Sequence, residues 1–193
     1  MKIGVLALQG AFAEHEKVLE QLGAECIELR QARDLAEPYD ALVLPGGEST
    51  VQGKLLKELG MFDIMKSQIE NGMPVLATCA GAILLAETID GQMKGQPEQY
   101  FGTIPMCIKR NAYGRQLGSF HTEAPVAGIG TVPMTFIRAP YIASVEDGVE
   151  VLAVVEERIV GAKYKKQMAF SFHPELDPDV RIHKAFLAMI KKV

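Results

Sequence analysis

Cysteine is scarce in this sequence: three cysteines occur in 193 residues, and no two of them form a Cys-x-x-Cys pair. An odd, widely spaced set gives no disulfide framework and suits a reducing compartment, so we expect a cytoplasmic protein. Histidine is also rare, and its four positions share no metal-ligand spacing with the cysteines. We therefore predict no metal site and no cofactor.

Long apolar runs and basic clusters are missing as well. No stretch approaches the roughly 18 consecutive apolar residues of a membrane-spanning helix. The first residues also lack the cleavage site of a signal peptide. The net charge is −4, with acidic and basic residues interspersed. These features argue against a membrane or a nucleic acid as the partner of this chain.

What remains is an ordinary globular composition, with 48% hydrophobic and 23% charged residues. A chain of 193 residues with this composition can bury a substantial core without disulfides. No internal repeat or low-complexity linker divides the sequence. We therefore predict a single domain over residues 1–193.

The first half of the sequence alternates between two kinds of pattern. Short apolar runs predict buried strands at residues 2–8, 39–47 and 73–79, and alternation predicts another at residues 25–30. Helical spacing predicts helices within residues 11–23, 49–72 and 80–89. This order predicts an α/β fold with three layers, in which a doubly wound, mainly parallel sheet carries helices on both faces.

The pattern changes from about residue 90 onward. Short strand candidates follow one another, separated by Gly, Pro and Asn turns, at residues 102–111, 117–125, 133–140, 149–157, 158–164 and 167–175. We interpret them as added β-structure, partly antiparallel, beside the parallel core. Residues 179–193 have the pattern of a closing amphipathic helix.

Cys79 lies at the junction between the strand at residues 73–79 and the helix after it. Ligands bind at this edge of a parallel sheet, and a nucleophile on a sharp strand-to-helix turn is held out from the backbone. The helix N-terminus also favours thiolate over thiol. Cys79 is therefore a candidate nucleophile. The alternative is that it is a small buried hydrophobic residue.

A candidate base and its orienting carboxylate occur together in the segment "SFHPEL". His173 and Glu175 are two residues apart, so in an extended segment both side chains point to the same side. The carboxylate could hold one imidazole nitrogen while the other faces a thiol. The alternative is a polar loop end with a surface histidine and a surface glutamate.

Two glycines, Gly46 and Gly47, end the predicted strand at residues 39–47. Such a loop allows backbone N–H groups to turn toward a ligand and form an oxyanion hole. Ser49 or Thr50 is the predicted cap of the next helix. A nucleophile turn, a base with its orienting carboxylate and an oxyanion loop are the three parts of acyl-transfer chemistry.

These residues resemble the class I, or triad, glutamine amidotransferases. The nucleophile turn of that family is Gly-x-Cys-x-Gly, and residues 77–81 here read Ala-Thr-Cys-Ala-Gly. Further segments follow the order and spacing of the glutaminase subunits of pyridoxal 5′-phosphate synthase, the PdxT and SNO family, including "LALQGAF", "LPGGEST", "KRNAYGRQLGSF" and "FIRAP". The resemblance covers essentially the whole chain and implies the class I amidotransferase fold.

The resemblance also implies a role for individual residues. Cys79, His173 and Glu175 would form the triad, and the N–H groups of Gly47 and Ala80 the oxyanion hole. The residues that it implies for binding L-glutamine are Gly46, Gly47, Glu48, Arg110, Ile137 and Arg138.

A partner protein is implied in the same way. The chain would hydrolyse L-glutamine and pass ammonia to PdxS, the synthase subunit. Gln9 and Gly10, at the end of the first strand, are candidates for sensing that subunit, although a plain strand-to-helix turn is the alternative. Cys26 and Cys107 are interpreted as packing residues. The remaining histidines receive no role: His15, His121 and His183.

Other functions stay open on the sequence alone. The same chemistry could serve another acceptor, such as an imidazole-glycerol-phosphate or anthranilate synthase, although the segment "RNAYGRQ" weighs against this. A cysteine peptidase or related hydrolase on a similar sheet is a second class. A binding module without catalysis is a third, which an intact Cys/His/Glu set opposes.

Overall fold

The computed structural model describes residues 1–91, 99–110 and 119–190. The strands are β1 Lys2–Leu6, β2 Glu25–Leu29, β3 Ala41–Leu44, β4 Val75–Thr78, β5 Ala86–Ile89, β6 Ile104–Lys109, β7 Ser119–Val126, β8 Gly130–Ile137, β9 Tyr141–Val145, β10 Glu150–Val155, β11 Arg158–Tyr164 and β12 Gln167–Phe170. The α-helices are α1 Phe12–Gln21, α2 Ser49–Glu58, α3 Phe62–Glu70, α4 Ala80–Leu85 and α5 Arg181–Ile190, and two 3₁₀ helices cover Ala32–Ala36 and Pro174–Leu176.

Among the described residues, the main sheet has ten strands. Nine of them follow the order β2-β1-β3-β4-β12-β11-β9-β6-β5, and β10 pairs with β11. The neighbours from β2 to β12 are parallel, whereas β11 is antiparallel to β12, β9 and β10. Strands β7 and β8 form a separate antiparallel pair. The predicted α/β class, with a parallel core and added antiparallel β-structure, is confirmed.

Side chains of the central strands alternate between two cores, one on each face of the sheet. Val43 packs in the core that contains Leu19 of α1 and Phe186 of α5. Its neighbour Leu44 packs in the other core, with Leu56 of α2. Because successive strand residues point to opposite faces, a strand covered on both sides has a continuous apolar sequence.

The helices that cover the sheet are short. The longest of them have ten residues. Within residues 1–91, 99–110 and 119–190, no helix is both long enough and apolar enough to cross a membrane.

Two strands of the structure, β5 and β9, were not predicted. The helix predicted over residues 80–89 ends at Leu85, and Ala86–Ile89 forms β5, which pairs with β6 in parallel. Ala86 adopts extended backbone angles, φ −67° and ψ 138°, and the β-branched pair Thr88 and Ile89 favours a strand. Strand β9 has no counterpart among the predicted elements.

The carboxyl ends of β1, β3, β4 and β12 meet at one edge of the sheet because these strands are parallel. The segment with Gln9 follows β1, the two glycines follow β3, Cys79 follows β4, and His173 lies three residues beyond β12. Such an edge is where ligands bind in open α/β sheets.

Candidate active site

Cys79 occupies a strained turn between β4 and α4. Its φ of 47° and ψ of −102° lie outside the regions that side-chain-bearing residues normally adopt. Its N–H donates to the carbonyl oxygen of Phe170 on β12 at 2.8 Å, which ties the turn to the neighbouring strand. A side chain at Gly81 would overlap the carbonyl oxygen of Leu44, so this close approach to β3 requires glycine. The turn has the geometry of a nucleophile elbow.

His173 and Glu175 form a buried pair beside Cys79. The Nδ1 atom of His173 lies 2.7 Å from Oε1 of Glu175, and the imidazole is close enough to the Cys79 side chain for the two to interact. Because Glu175 occupies Nδ1, the nitrogen available to the sulfur is Nε2. The backbone N–H of His173 donates to the carbonyl oxygen of Thr135 at 2.8 Å, which fixes the segment against β8.

The predicted extended conformation of this pair is wrong. Pro174–Leu176 is a 3₁₀ helix that begins directly after His173. Proline suits the first position of a helical turn because its missing N–H would have no partner there. The turn folds the Glu175 carboxylate back onto Nδ1, so the contact arises from helical geometry and not from strand alternation.

Contacts with neighbouring groups shift the protonation of both members of the pair. Burial lowers the pKa of His173, but hydrogen bonds with Cys79 and Glu175 outweigh burial and raise the pKa to about 10. Burial raises the pKa of Glu175, but its interactions with His15 and His173 outweigh burial and hold the pKa below its ordinary value. These contacts favour a protonated imidazole supported by a charged carboxylate.

The glycine loop after β3 approaches this pair closely. A side chain at Gly46 would overlap Cε1 of His173, so only glycine lets the loop backbone reach the imidazole. The N–H of Gly46 donates to Oγ1 of Thr78 at 3.1 Å, and its carbonyl oxygen accepts from the N–H of Ala11 at 3.1 Å. Ala80 is the first residue of α4, where backbone N–H groups have no intrahelical partner.

A cavity of about 460 Å³ joins these segments. Its lining includes every residue predicted for the site except Glu175, which lies behind His173: Gln9, Gly10, Gly46, Gly47, Glu48, Cys79, Ala80, Arg110, Ile137, Arg138 and His173. The structure therefore brings the predicted residues together at one place. A cavity of this size suits a small ligand, and two guanidinium groups at its wall suit an anionic one.

Two details of the wall differ from the sequence-based picture. The cap of α2 is Glu48, whose carboxylate accepts from the N–H groups of Thr50 at 3.3 Å and Val51 at 2.9 Å, whereas Ser49 or Thr50 was predicted. The Thr50 hydroxyl instead accepts from Nη1 of Arg110 at 2.9 Å. Most of the segment "RNAYGRQ", residues 111–116, lies outside the described residues.

Comparison with known sequences agrees with this geometry. The profile of the SNO glutamine amidotransferase family matches residues 5–192. The chain belongs to this family. The SNO match spans all of the segments that line the cavity.

Two relatives of this SNO-family chain are similar over nearly their whole length. The pyridoxal 5′-phosphate synthase subunit PdxT of Desulfitobacterium hafniense (strain Y51) is 58% identical over 190 residues, which cover 98% of this chain and 94% of the relative. The subunit of the same name from Streptococcus pneumoniae serotype 2 (strain D39) is 54% identical over 195 residues, covering 100% and 99% of the two chains.

Solved structures agree at the level of the fold. A crystal structure of a glutamine amidotransferase, 43% identical, superposes with a TM-score of 0.90 over 97% of this chain and 98% of the other. A chain of the PurLQS structure from Thermotoga maritima, 15% identical, gives a TM-score of 0.71 over 98% and 99%. The second likeness concerns the fold alone.

Several residues around the SNO-family site were missed in the sequence. His15 lies at the centre of a buried polar cluster with Thr78 and His183, all fully buried. The available signal was a histidine on the apolar face of α1, in helical register with the buried residues Val18 and Leu19. The contacts among the three residues could not be predicted, because α1, β4 and α5 are far apart in the sequence.

Proposed function

We propose that this chain is a glutaminase that hydrolyses L-glutamine to L-glutamate and ammonia. The observation that carries the proposal is the contact of His173 with both Cys79 and Glu175, 2.7 Å from the latter, at a cavity lined by a glycine loop. A nucleophile, a base and an orienting carboxylate in this relation are the requirements for acyl transfer through a thioester. The whole of residues 1–193 acts as a single glutaminase domain.

The reaction has two halves. The Cys79 thiolate attacks the side-chain amide carbon of L-glutamine and forms a C–S bond. His173, which carries the proton of the thiol, donates it to the amide nitrogen, the C–N bond breaks, and ammonia leaves. Water then attacks the thioester while His173 accepts its proton, the C–S bond breaks, and L-glutamate departs from the restored pair.

The oxyanion that forms in each half needs hydrogen-bond donors. The backbone N–H groups of Gly47 and Ala80 serve this purpose, because both residues line the cavity beside Cys79. One such donor contributes roughly 2.7–4 kcal/mol to the stability of a transition state.

The amino acid itself is held by the wall of the cavity. Arg110 and Arg138 are the candidates for its α-carboxylate, since a guanidinium fork can donate to both oxygens at once. Gly46, Gly47, Glu48 and Ile137 complete the binding surface.

Ammonia is useful to a synthase only if it stays neutral and does not escape into water. A second protein that covers the active-site edge would shelter it. The curated relatives carry the name of pyridoxal 5′-phosphate synthase subunits, and we propose that this chain likewise supplies ammonia to a PdxS synthase subunit.

Contacts of the loop after β1 support a role in sensing that partner. The side-chain oxygen Oε1 of Gln9 accepts from the N–H of Glu48 at 2.7 Å. A side chain at Gly10 would overlap the carbonyl oxygen of Gly46. A partner that moves this loop would therefore also move the peptides of the oxyanion loop, which gives PdxS a way to switch on hydrolysis.

The deciding experiment measures glutamate release from L-glutamine by the purified chain, with and without PdxS. We expect release to increase by about 10²–10³-fold with PdxS if the partner aligns one oxyanion donor. Equal rates would refute the proposed activation by PdxS. No release of glutamate in either case would refute the glutaminase function.

Covalent labelling separates this function from other cysteine hydrolases. A glutamine-analogue electrophile should modify Cys79, and L-glutamine should protect it. Labelling that glutamine does not block would point to a different substrate class.

A further inference from the structure

A chain of buried polar side chains continues behind the catalytic pair. Nε2 of His15 lies 3.4 Å from Oε2 of Glu175 and 3.0 Å from Oγ1 of Thr78. Nδ1 of His15 lies 3.0 Å from Nε2 of His183. The proposed reaction uses only Oε1 of Glu175, which contacts His173. The contacts of His15 have no role in that reaction.

This cluster lies entirely inside the protein. The side chains of His15 and Glu175 have no exposed surface, and His183 is also fully buried. Leu19, one turn further along α1, is apolar and fully buried. An apolar residue at position 15 would fill the same space without the cost of burying an imidazole, so packing alone does not account for the histidine.

Hydrogen-bond roles fix the tautomer of His15. Nε2 forms its hydrogen bond with Oγ1 of Thr78 and also faces Oε2 of Glu175 at 3.4 Å, an oxygen with no hydrogen-bond partner among the described residues. A charged carboxylate only accepts, so the nitrogen that faces it carries the hydrogen. Nδ1 then accepts from the Nε2–H of His183. The opposite tautomer would set a lone pair against the carboxylate and leave Nδ1–H of His183 donating to nothing, because that atom has no partner among the described residues.

Both imidazoles are neutral in this arrangement. Burial lowers the pKa of His15, against the opposing effects of Glu175 and Glu14, while His173 adds to the lowering. Burial also lowers the pKa of His183 to about 3. A neutral His15 turns its Nε2–H toward Glu175 without cancelling the charge of the carboxylate, so the carboxylate still pairs with protonated His173.

Thr78 extends the same support to the oxyanion loop. Its Oγ1 accepts from the N–H of Gly46 at 3.1 Å and contacts Nε2 of His15 at 3.0 Å. One buried imidazole therefore touches both the carboxylate that orients the base and the hydroxyl that holds the oxyanion loop.

We propose that His15 is a positioning residue of the glutaminase, held as its Nε2–H tautomer by His183, that fixes the Glu175 carboxylate on Nδ1 of His173. This inference rests on the proposed function and deepens it. His15 does not touch the substrate. It acts through Glu175, and its loss lets the carboxylate rotate away from the base.

Steady-state kinetics of glutamate release, measured with PdxS present, test the proposal. His15→Phe fills the space but cannot donate, and we expect kcat to fall about 10–100-fold with KM unchanged, the usual size for a group that orients another. His15→Gln can place an amide N–H near the position of Nε2, so it should recover most of the loss. Val18→Ala, on the same helix, is the control for destabilisation and should keep the kcat of the wild type.

Nitrogen-15 NMR of histidine-labelled protein gives a readout that packing alone would not move. The wild type should show His15 as the Nε2–H tautomer, and the Nδ1–H resonance of His173 should shift in His15→Phe. A folded His15→Phe variant with unchanged kcat and an unchanged His173 resonance would overturn the proposal. So would an Nδ1–H tautomer in the wild type, which needs no variant to fold.

These experiments distinguish a wrong glutaminase function from a wrong positioning role of His15. If the wild type releases no glutamate with PdxS, the glutaminase function is wrong, and the NMR result still decides how His15 contacts Glu175. If the wild type is active and the variants match it, only the positioning role is wrong.

Discussion

The parallel core, β1–β4 with β12, and the added strands, β5–β11, line one cavity but contribute different kinds of groups. The parallel strands end in a strained cysteine, a glycine loop and a buried imidazole, all held by backbone geometry. The added strands end in Arg110 and Arg138, long side chains at the wall. We therefore expect the parallel core to supply the reacting groups, and the two arginines of the added strands to bind the carboxylate of L-glutamine. Substitutions in the core should change kcat, and those in the added strands should change KM.

The largest effect should follow removal of the nucleophile in the parallel core. Cys79→Ala leaves no atom to form the thioester, and we expect kcat for glutamate release to fall on the order of 10⁶-fold. Calorimetry should show that L-glutamine still binds. Cys107→Ala, in β6 of the added strands, is the matched control and should remain active. Near wild-type turnover in Cys79→Ala would show that the parallel core does not supply the nucleophile.

Gly46→Ala should cause a smaller but still large loss of kcat. The new methyl group would overlap Cε1 of His173, so either the imidazole or the oxyanion loop must move. We expect kcat to fall about 10²–10³-fold, the cost of one misplaced donor, with a minor change in KM.

Gly23→Ala is the control for that substitution. Gly23 has a φ of +83° and no atom near its missing side chain, so the variant tests backbone strain alone. It should lose stability and keep its kcat. If both variants lose kcat equally, the close approach of Gly46 to His173 has no special importance.

The added strands should respond in the opposite way. Arg138→Lys keeps the charge but loses the fork that can donate to two carboxylate oxygens, so we expect KM for L-glutamine to rise about 10-fold. The kcat should stay within about 3-fold of the wild type. Arg33→Lys, whose side chain is 81% exposed, is the control. A fall in kcat at constant KM would contradict the expectation that substitutions in the added strands change KM.

The smallest expected effect concerns how the free energy of unfolding changes at acidic pH. Burial lowers the pKa of His183 to about 3, from an ordinary value of 6.5. Because the folded pKa is below the unfolded one, the neutral imidazole contributes stability that is fully present above about pH 6.5 and is lost as pH falls toward 3. His183→Gln should therefore flatten the decline of the free energy of unfolding in this range, measured by urea titration.

His121→Gln is the matched control from the added strands. Its imidazole on β7 is 55% exposed, so this variant makes the same chemical change at a histidine outside the buried cluster. An equal flattening in both variants would show that the acid sensitivity does not arise at the buried cluster.

Much of the fold could be predicted because local patterns determine it. The apolar runs of β1, β3 and β4 fit only strands covered on both faces, and Cys79 with its small neighbours marks the turn after β4. The conformations of short polar segments were harder to predict. The 3₁₀ turn after His173 and the cap at Glu48 differ from the predictions because short polar segments permit several conformations.

The buried histidines were beyond reach for another reason. His15 and His183 are 168 positions apart, and each by itself is a single polar residue in an amphipathic helix. Only the packing of α1 and α5 against the same face of the sheet brings their rings together.

The place of β12 beside β4 has a consequence for the newly made chain. Val75–Thr78 and Gln167–Phe170 are direct neighbours, although about ninety positions separate them along the polypeptide. A ribosome would thus complete the thiol-bearing turn long before the imidazole emerges, and the flank of β4 would stay unpaired in the meantime. We therefore expect glutaminase activity only once translation has passed this late strand, and a truncated product would keep an unpaired sheet edge that can associate with other chains.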